Sequence, residues 1–280
     1  MSECSILAAG LRYFPMDEQP RDLLALLREE EGRRLRRSNR YIALSLLGAL
    51  ACVRGQQLAE DCGVYLGSGL GNVAETVAMF GPVLDEGLAP MPFGFINVSS
   101  NMAGFTLAQQ LGLHGRNLAL ANAHNPFAAA LACALRDLRA GRVSQALVGA
   151  VDEGVWPLAV QRQRLGLAEG ASLGEGSGWI LLGNAAGIGR LTLTSLSTLP
   201  SPSALSETIL PWPGLEQQFP DDVPTHLPTG QSPSLGAWRF IETISRANDA
   251  VVGLSESGQG GYWQLRYQPK PLSPRGEGLG

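Results

Sequence analysis

The sequence has few cysteines and few histidines, and this shortage excludes a class of site. Its four cysteines are scattered over 280 residues, without the paired spacing that zinc or iron–sulfur sites require. The three histidines are also spread along the chain and do not supply a ligand cluster. We therefore expect no metal and no cofactor, and we interpret the cysteines as free thiols.

A strong charge of either sign is also absent. The formal net charge is -4, from 21 basic and 25 acidic residues, so electrostatics give no case for a nucleic-acid partner. The longest apolar runs, such as residues 42–53, are too short to cross a bilayer. The first residues lack the basic and apolar regions of a secretion signal. We expect a cytoplasmic protein without membrane contact.

Apolar residues and glycine are plentiful, at 45% hydrophobic residues and 35 glycines, which suffices for a substantial core. The apolar patterns predict an α/β protein. Strands are predicted within residues 62–72, 174–184 and 189–199, at both ends of 117–153, and after residue 250. Helices are predicted within residues 21–54, 91–114 and 117–153, and after residue 234.

A glycine-rich turn, GSGLGN at residues 67–72, follows the first predicted strand. It lacks the GxGxxG spacing of a dinucleotide-binding loop, and no acidic residue marks the end of a second strand. We therefore interpret this glycine turn as a place where the backbone must approach another segment closely.

A second turn joins a short apolar strand, Asn117–Asn122, to an amphipathic helix. A strand that turns sharply into a helix often carries a nucleophile, because the helix N-terminus stabilises nearby negative charge. Here this elbow (residues 122–126) carries His124 beside an asparagine and a proline, with neither serine nor cysteine. The elbow therefore has the form of a catalytic site without its usual nucleophile.

Several segments resemble β-ketoacyl synthases and occur in the same order as in that family. They are GVYLGSGLGN, FINVSSNMAGFTLAQQLGLHG, the block 117–153 that ends in LVGAVDE, GEGSGWILL, and more weakly PTHLPTGQSPSLGAWRFIETI and LSESGQGGYWQL. The resemblance covers most of residues 30–267. It implies an α/β, thiolase-like, five-layer αβαβα fold that normally forms dimers, with a complete N-terminal half and an abbreviated C-terminal half.

This resemblance also implies the domain limits. The synthase-like N-terminal half is expected at 1–185 and a reduced C-terminal half at 186–268. The latter includes a proline-rich insertion at 200–234, which we interpret as loop. We expect residues 269–280 to form a disordered tail.

In the family, a cysteine at the elbow accepts an acyl chain and two histidines assist decarboxylation of the extender unit. By position, the cysteine corresponds to His124. The second histidine corresponds to Gln231, and a lysine five residues earlier corresponds to His226. The first histidine has no counterpart. The resemblance thus implies a ketosynthase-like subunit without condensing activity of its own.

Such a subunit, a chain-length factor, pairs with an active ketosynthase during fatty-acid or polyketide chain extension, and this chain most resembles those of aryl-polyene pathways. The strand before the elbow would then pair with its counterpart across the dimer axis, which implies a large apolar interface. Bulky side chains near the elbow would limit the growing chain. The candidates for this acyl tunnel or interface are Phe95, Met102, Phe105, Asn122, His124 and Phe127.

Two other functions remain open. One is a lone acyl-thioester hydrolase or acyltransferase, in which His124 acts with Asp152 or Glu153 and one of Ser99, Ser100 or Ser177. The other is a module that binds acyl groups or a carrier protein. A basic segment, the arginine joint (residues 33–40), would suit docking of an acidic acyl carrier protein. Its arginines are Arg33, Arg34, Arg36, Arg37 and Arg40.

Overall fold

The computed structural model describes residues 2–33, 35, 38–89, 94–122, 126–196, 209–210, 232–246, 252–258 and 261–270. Its strands are β1 (Ser2–Pro15), β2 (Gly63–Ser68), β3 (Asn117–Ala121), β4 (Gln145–Asp152), β5 (Gly174–Gly183), β6 (Gly189–Leu196), β7 (Ile209–Leu210), β8 (Val252–Gly258) and β9 (Gly261–Pro269). Its helices are α1 (Leu23–Glu31), α2 (Arg40–Val53), α3 (Val73–Glu86), α4 (Gly94–Val98), α5 (Asn101–Leu111), α6 (Pro126–Arg139), α7 (Leu158–Arg164) and α8 (Leu235–Arg246).

The strands form one mixed sheet in the order β3-β2-β4-β5-β1-β6-β9-β8-β7. β2 pairs in parallel with β3 and with β4, as expected for strands connected through helices. β5 pairs antiparallel with β4 and with β1. β1 also pairs antiparallel with β6, so it joins the strands of the two halves into one sheet.

Both faces of the central strands are covered, which explains their continuous apolar sequences. Every residue of β2 and of β5 is buried. On one face, the nearly all-buried helix α2 shares a core with Leu66 and Trp179. On the other face, α6 and α8 share a core with Tyr65 and Ile180. Neighbouring residues of a strand therefore pack into two separate cores, because successive side chains point to opposite faces of the sheet.

The helices form layers on both sides of this sheet. α1, α2 and α5 lie on its outer face. On the inner face, α8 contacts β1 and β5 and also β7 and β8, and Leu191 and Leu265 of the C-terminal strands join its core. The layers are those of the thiolase-like fold. Within the described residues the C-terminal half adds α8 as its helix, in keeping with its abbreviated form.

The structure also differs from the sequence expectations in several places, which include α3 and α7, for which no helix was predicted. β1 occupies a central position in the sheet, although no strand was predicted for it. Within the proline-rich insertion, which was interpreted as loop, Ile209–Leu210 pairs in parallel with β8. The tail was predicted from residue 269, yet Pro269 ends β9, and the Lys270 amide donates to the Ile188 carbonyl at 3.0 Å. Residues 271–280 lie outside the described part of the chain.

Candidate functional site

The candidate site lies where the parallel strands β2, β3 and β4 end, because the glycine turn, the elbow and Asp152 follow these strands at the same edge of the sheet. Carboxyl ends of parallel strands are where α/β proteins commonly place functional groups. The end of β3 is tied to β2 by the Asn122 amide, which donates to the Ser68 carbonyl at 2.9 Å. The elbow and the glycine turn are therefore adjacent.

The glycine turn is glycine-rich because other segments approach it closely, as the sequence predicts. A Cβ on Gly67 would lie 2.2 Å from the Pro126 carbonyl oxygen, at the start of α6. A Cβ on Gly69 would lie 2.1 Å from the Pro233 ring. Gly71 has a φ of 65°, which favours glycine, and faces the Ser100 hydroxyl. The turn is therefore a junction between elements.

Asp152 holds this junction together. Its Oδ1 accepts from the Ser68 hydroxyl at 2.8 Å and from the amides of Gly69 and Leu70 at 2.9 and 3.2 Å. Its Oδ2 accepts from the Ser234 hydroxyl at 2.5 Å, just before α8. Burial raises the pKa of Asp152, and these four hydrogen bonds oppose that rise. With four donors already bound, Asp152 serves as a structural carboxylate.

Glu153, the next residue, is buried and holds a proton more tightly than an exposed glutamate. Its Oε1 accepts from the Ala74 amide at 3.0 Å, in the first turn of α3. Burial raises the pKa of Glu153 to about 8, and the nearby Glu175 carboxylate adds to the rise while Arg40 opposes it. Glu153 thus carries a carboxyl group that titrates near neutral pH at this edge of the sheet.

Glu175 and Arg40 form a buried ion pair beside Glu153. Arg40 donates through Nε to Glu175 Oε2 at 2.9 Å and through Nη2 to Oε1. The Gly154 amide donates to the same carboxylate at 2.9 Å, and the Arg40 guanidinium lies 4.7 Å from the centre of the Trp156 ring. The two-bond geometry satisfies a carboxylate that is only 2% exposed.

Because of this ion pair Arg40 is largely buried, whereas a docking residue would be expected to be exposed. In the same arginine joint, Arg33 donates through Nη1 to the Gln110 side chain at 2.8 Å and to the Gln110 carbonyl at 3.1 Å. Both arginines therefore bind within the chain. Arg34, Arg36 and Arg37 lie outside the described residues, so carrier docking by the joint stays a prediction.

The serines proposed for hydrolysis serve the scaffold. Ser177 is fully buried, and its hydroxyl accepts from the Trp179 indole at 2.7 Å. Because Ser177 pairs with Val151 in the β4–β5 register, it faces the α2 side, whereas Asp152 faces α8. A Ser177–Asp152 pair is therefore ruled out by the sheet register.

Ser99 and Ser100 precede α5, where the sequence places helix-capping residues. The Ser100 side chain makes no capping bond to α5. Its hydroxyl instead accepts from the Asn72 amide at 3.1 Å, at the start of α3. The Ser99 carbonyl accepts from the Met102 amide. Ser100 therefore connects two helices through the glycine turn, and it is already hydrogen-bonded in a structural role.

The central residues of the elbow lie outside the described part of the chain, as do His226 and Gln231. His124 is among them, between β3 and α6 in sequence. The tunnel candidate Phe127, on the first turn of α6, is fully buried in the core under the sheet. Cys133 lies further along α6 and is a free thiol. The elbow itself contains no cysteine.

Two of the tunnel candidates line a cavity of about 410 Å³ between α2, α4 and α5. Met102 and Phe105 contribute apolar walls, and Phe105 is 52% exposed. Phe95 lies on α4 and is also 52% exposed. Ile96 and Gln109 belong to the same lining. The volume falls within the range of small-ligand pockets, and polar side chains such as Gln109 and Gln110 also line it.

The described ranges do not contain the residues of a metal site or of a membrane-spanning helix. No group of three or more potential metal ligands occurs there, and no helix in those ranges is both long and apolar enough to cross a membrane. Cys52 and Cys62 are buried free thiols. Burial raises the pKa of both, that of Cys62 to about 12, which makes them poor nucleophiles.

Comparison with known proteins agrees with this architecture. Residues 48–186 match the family model of the β-ketoacyl synthase N-terminal domain. No curated protein matches the chain. The matched residues include the glycine turn, the elbow, Asp152 and β5, so the candidate site lies within the matched domain.

Solved structures with a similar fold include the ishigamide ketosynthase/chain length factor, with a TM-score of 0.73, 15% identity, and coverage of 96% of this chain and 99% of that chain. The ketosynthase ApeO in complex with its chain length factor ApeC, from Xenorhabdus doucetiae, gives a TM-score of 0.57 at 13% identity, covering 95% and 99%. A β-ketoacyl synthase from Burkholderia phymatum STM815 gives 0.57 at 12% identity, covering 84% and 83%.

The matched family and the layered architecture agree on one assignment. The paired strands β2, β3 and β4, the elbow helix α6 and the long strand β5 all lie within the matched residues. The similarity to the solved structures extends over the remainder of the chain at the level of fold. Residues 48–186 of the chain match the N-terminal domain of the β-ketoacyl synthase family, and the described residues have that family's thiolase-like fold.

Proposed function

We propose that this protein is a ketosynthase-like subunit without condensing activity of its own, a chain-length factor. It would pair with an active β-ketoacyl synthase in fatty-acid or polyketide/polyene chain extension. The observation that carries the proposal is the elbow sequence, which contains no cysteine, on a scaffold that keeps the glycine turn and the Asp152 junction.

The chemistry of the elbow supports this proposal. Condensation needs a soft thiolate nucleophile that stores the acyl chain as a thioester. An acyl-imidazole on His124 would hydrolyse readily and would be a poor store. The nearest cysteine in sequence, Cys133, lies well along α6 and is partly buried. The chain would therefore depend on a partner for the nucleophile.

The position of β3 supports pairing with another chain. Within the described sheet β3 is a terminal strand that pairs with β2 alone. Its residues are neutral and half-buried, and Ala121 is exposed. Exposed strand edges of this kind favour pairing with another chain. Two of the similar structures are a ketosynthase/chain length factor and a ketosynthase in complex with its chain length factor, which supports a synthase as that partner.

The cavity between α2, α4 and α5 supports a role in chain length. Met102 and Phe105 are bulky apolar side chains in its wall. Replacing such side chains by alanine would enlarge a closed space by a predictable amount. We infer that these two residues contribute to a wall that stops a growing acyl chain. Met102→Ala and Phe105→Ala should then shift products to longer chains at unchanged subunit stoichiometry.

The first experiment is co-expression of this chain with a cysteine-containing synthase encoded beside it. A one-to-one complex that condenses acyl and malonyl units, with no turnover by this chain alone, is the expected result. His124→Ala should leave that activity largely intact. A homodimer that ignores the synthase and cleaves acyl thioesters would favour the hydrolase and contradict the proposal. A monomer that binds a loaded carrier protein would favour the binding module.

A strand-edge variant tests the mode of pairing. Ala121→Lys places a charge on the exposed end of β3 without disturbing the core, and it should weaken the complex at least about tenfold, because charged side chains block edge pairing. Ala140→Lys, at an exposed site after α6, is the matched control and should bind normally. Equal binding by both variants would exclude pairing through β3.

A further inference from the structure

Helix α3 exposes an apolar surface that the core does not cover. Val77, Phe80 and Leu84 repeat at helical spacing, and Leu88 continues the row just after the helix. Their exposed fractions are 60%, 36%, 82% and 52%. Met79 is the buried residue of the same helix. We name this outward row, Val77, Phe80, Leu84 and Leu88, the α3 stripe.

Helix α4 extends this surface. The Phe80 and Phe95 rings lie edge to face with centroids 6.2 Å apart, and Ile96 beside them is 52% exposed. Single exposed apolar side chains are normal in globular proteins. A contiguous group at helical spacing marks an interaction surface, in the way that a helix presents anchors to a groove.

The charged side chains of the helices that carry the stripe are all aspartate or glutamate, and so of one sign. Residues 55–115, which include α3, α4 and α5, contain no lysine or arginine. Asp85 and Glu86 are exposed at the end of α3, and Glu75 lies in its first turn. The surface is thus apolar with an acidic rim. Charge complementarity fits a partner whose apolar groove has a basic rim.

The acidic rim discriminates between candidate partners. An acidic carrier protein would meet charge of its own sign here. Two copies of this chain in a two-fold contact would place the stripe and its carboxylates against themselves, because such an interface uses the same patch on both subunits. Both contacts would bring like charges together at an apolar surface, which costs binding free energy. A different chain is therefore favoured.

We propose that the α3 stripe is a docking surface for the active synthase subunit, and that its acidic rim favours that subunit over a second copy of this chain. This inference rests on the proposed function. The helix that carries the stripe is linked to the proposed β3 contact, because the Asn72 amide at the start of α3 donates to the Ser100 hydroxyl before α5, and α5 lies against β3. The partner would contribute an apolar groove rimmed by lysine or arginine.

The test compares affinities for the co-expressed synthase, measured by biolayer interferometry at several salt concentrations. Val77→Glu with Leu84→Glu should weaken binding by a factor of ten or more, as for central apolar anchors. Val160→Glu on α7, where the valine is 43% exposed, is the matched control and should bind like the wild type. All variants should show wild-type thermal unfolding, because the altered residues are exposed.

A charge-reversal arm tests the rim. Asp85→Lys with Glu86→Lys should weaken synthase binding and reduce its dependence on salt, whereas Glu169→Lys at an exposed site should do neither. Unchanged affinity in the stripe and rim variants, with a normal wild-type complex, would overturn this inference and leave the proposed function standing. Absence of any wild-type complex would overturn both. A homodimer lost only in the stripe variant would assign the surface to self-association instead.

Discussion

Asp152 receives donors from the end of β2, from the glycine turn and from the residue before α8. Asp152→Ala leaves these buried donors without an acceptor and should lower the free energy of unfolding by about 3 kcal/mol or more. Asp152→Asn retains one acceptor oxygen for the Ser68 side and should cost about 1 kcal/mol. Urea unfolding followed by circular dichroism measures both.

The control for Asp152 is Asp85→Ala, an exposed carboxylate at the end of α3, which should change stability by less than about 0.5 kcal/mol. An alanine variant at position 152 that unfolds at the wild-type urea concentration would show that the four hydrogen bonds contribute little. In that case adjacent contacts, such as the hydrogen bond that the Trp238 indole donates to the Ala150 carbonyl at 2.9 Å, would have to hold the junction.

Glu153 should make stability depend on pH. Its pKa is about 8 in the folded chain against 4.5 for the unperturbed group, so the folded state retains a proton that the unfolded state releases. The stabilising contribution is complete below pH 4.5, falls as pH rises, and is lost above pH 8. Glu153→Gln should remove this decline, which amounts to at most about 5 kcal/mol.

The measurement for Glu153 is the midpoint of urea unfolding of the wild type and of Glu153→Gln between pH 5 and pH 9. The glutamine variant keeps an oxygen for the Ala74 amide, so it should match or exceed the wild type at pH 8.5. Parallel pH curves would mean that Glu153 is ionised in the folded protein. The neighbouring Glu175 is paired with Arg40, and its substitution would not be a suitable control.

The sequence could locate this site but could not assign the partners of its residues. The elbow, the glycine turn and the close approach of the backbone follow from local patterns. The bond between Arg40 and Glu175 joins residues 135 positions apart, so no local pattern reveals it, and the sequence grouped Arg40 with a docking surface. Ser100 was placed correctly before a helix, yet its hydroxyl binds the Asn72 amide of another helix.

At the scale of elements, the backbone of Gly67 in β2 closely approaches the backbone of Pro126 at the start of α6. Gly67→Ala would place a methyl group 2.2 Å from the Pro126 carbonyl oxygen. This contact would force α6 away from the sheet and should cost about 2 kcal/mol or more. Thermal unfolding of the purified variant checks it. We also expect a weaker complex with the synthase, because α6 starts at the elbow.

Gly81→Ala is the matched control for Gly67→Ala. A Cβ on Gly81 has no atom within 4 Å, and the residue lies inside α3. Alanine there should change stability by less than about 1 kcal/mol, because the gain in helix propensity is opposed by Pro82, whose ring disfavours helical backbone at the residue before it. If the two substitutions had equal effects on the melting temperature, the close approach at Gly67 would not be the reason for its glycine.

Elements differ in how well their sequences reveal them. β2, β4 and β5 each contain a run of buried apolar residues because both faces are covered, and their sequences show it. β1 mixes polar and apolar residues, since parts of it are half-buried, so its central position was not predicted. No helix was predicted for α3, and its exposed face could not have been predicted from spacing, which identifies an apolar stripe without identifying what covers it.

At the scale of the whole molecule, β1 explains why the two halves cannot be treated separately. The boundary expected at residue 185 lies between β5 and β6, and β1 pairs with the strands on both sides of it. The cores also cross that boundary, since Ile180 and Leu191 belong to one cluster with Trp238 of α8. The proposed domain limits therefore describe family correspondence, and we expect the described chain to unfold as one unit.

Binding of the synthase should also raise the melting temperature of this chain. A chain that binds a partner only when folded is stabilised by mass action, by about 2.7 kcal/mol when the free partner is at 100 times its dissociation constant. For a chain of this length, the melting temperature should rise by roughly 5 °C or more when excess synthase is added. Differential scanning fluorimetry on a singly labelled chain measures that rise.

Two variants decide what such a rise means. Ala121→Lys on the β3 edge, and Val77→Glu with Leu84→Glu on the α3 stripe, should each reduce the shift without changing the melting temperature of the isolated chain. If β3 were the whole interface, the stripe variant would retain the full shift. If neither variant reduced it, the synthase would bind elsewhere, and the exposed edge and stripe would require another partner to cover them.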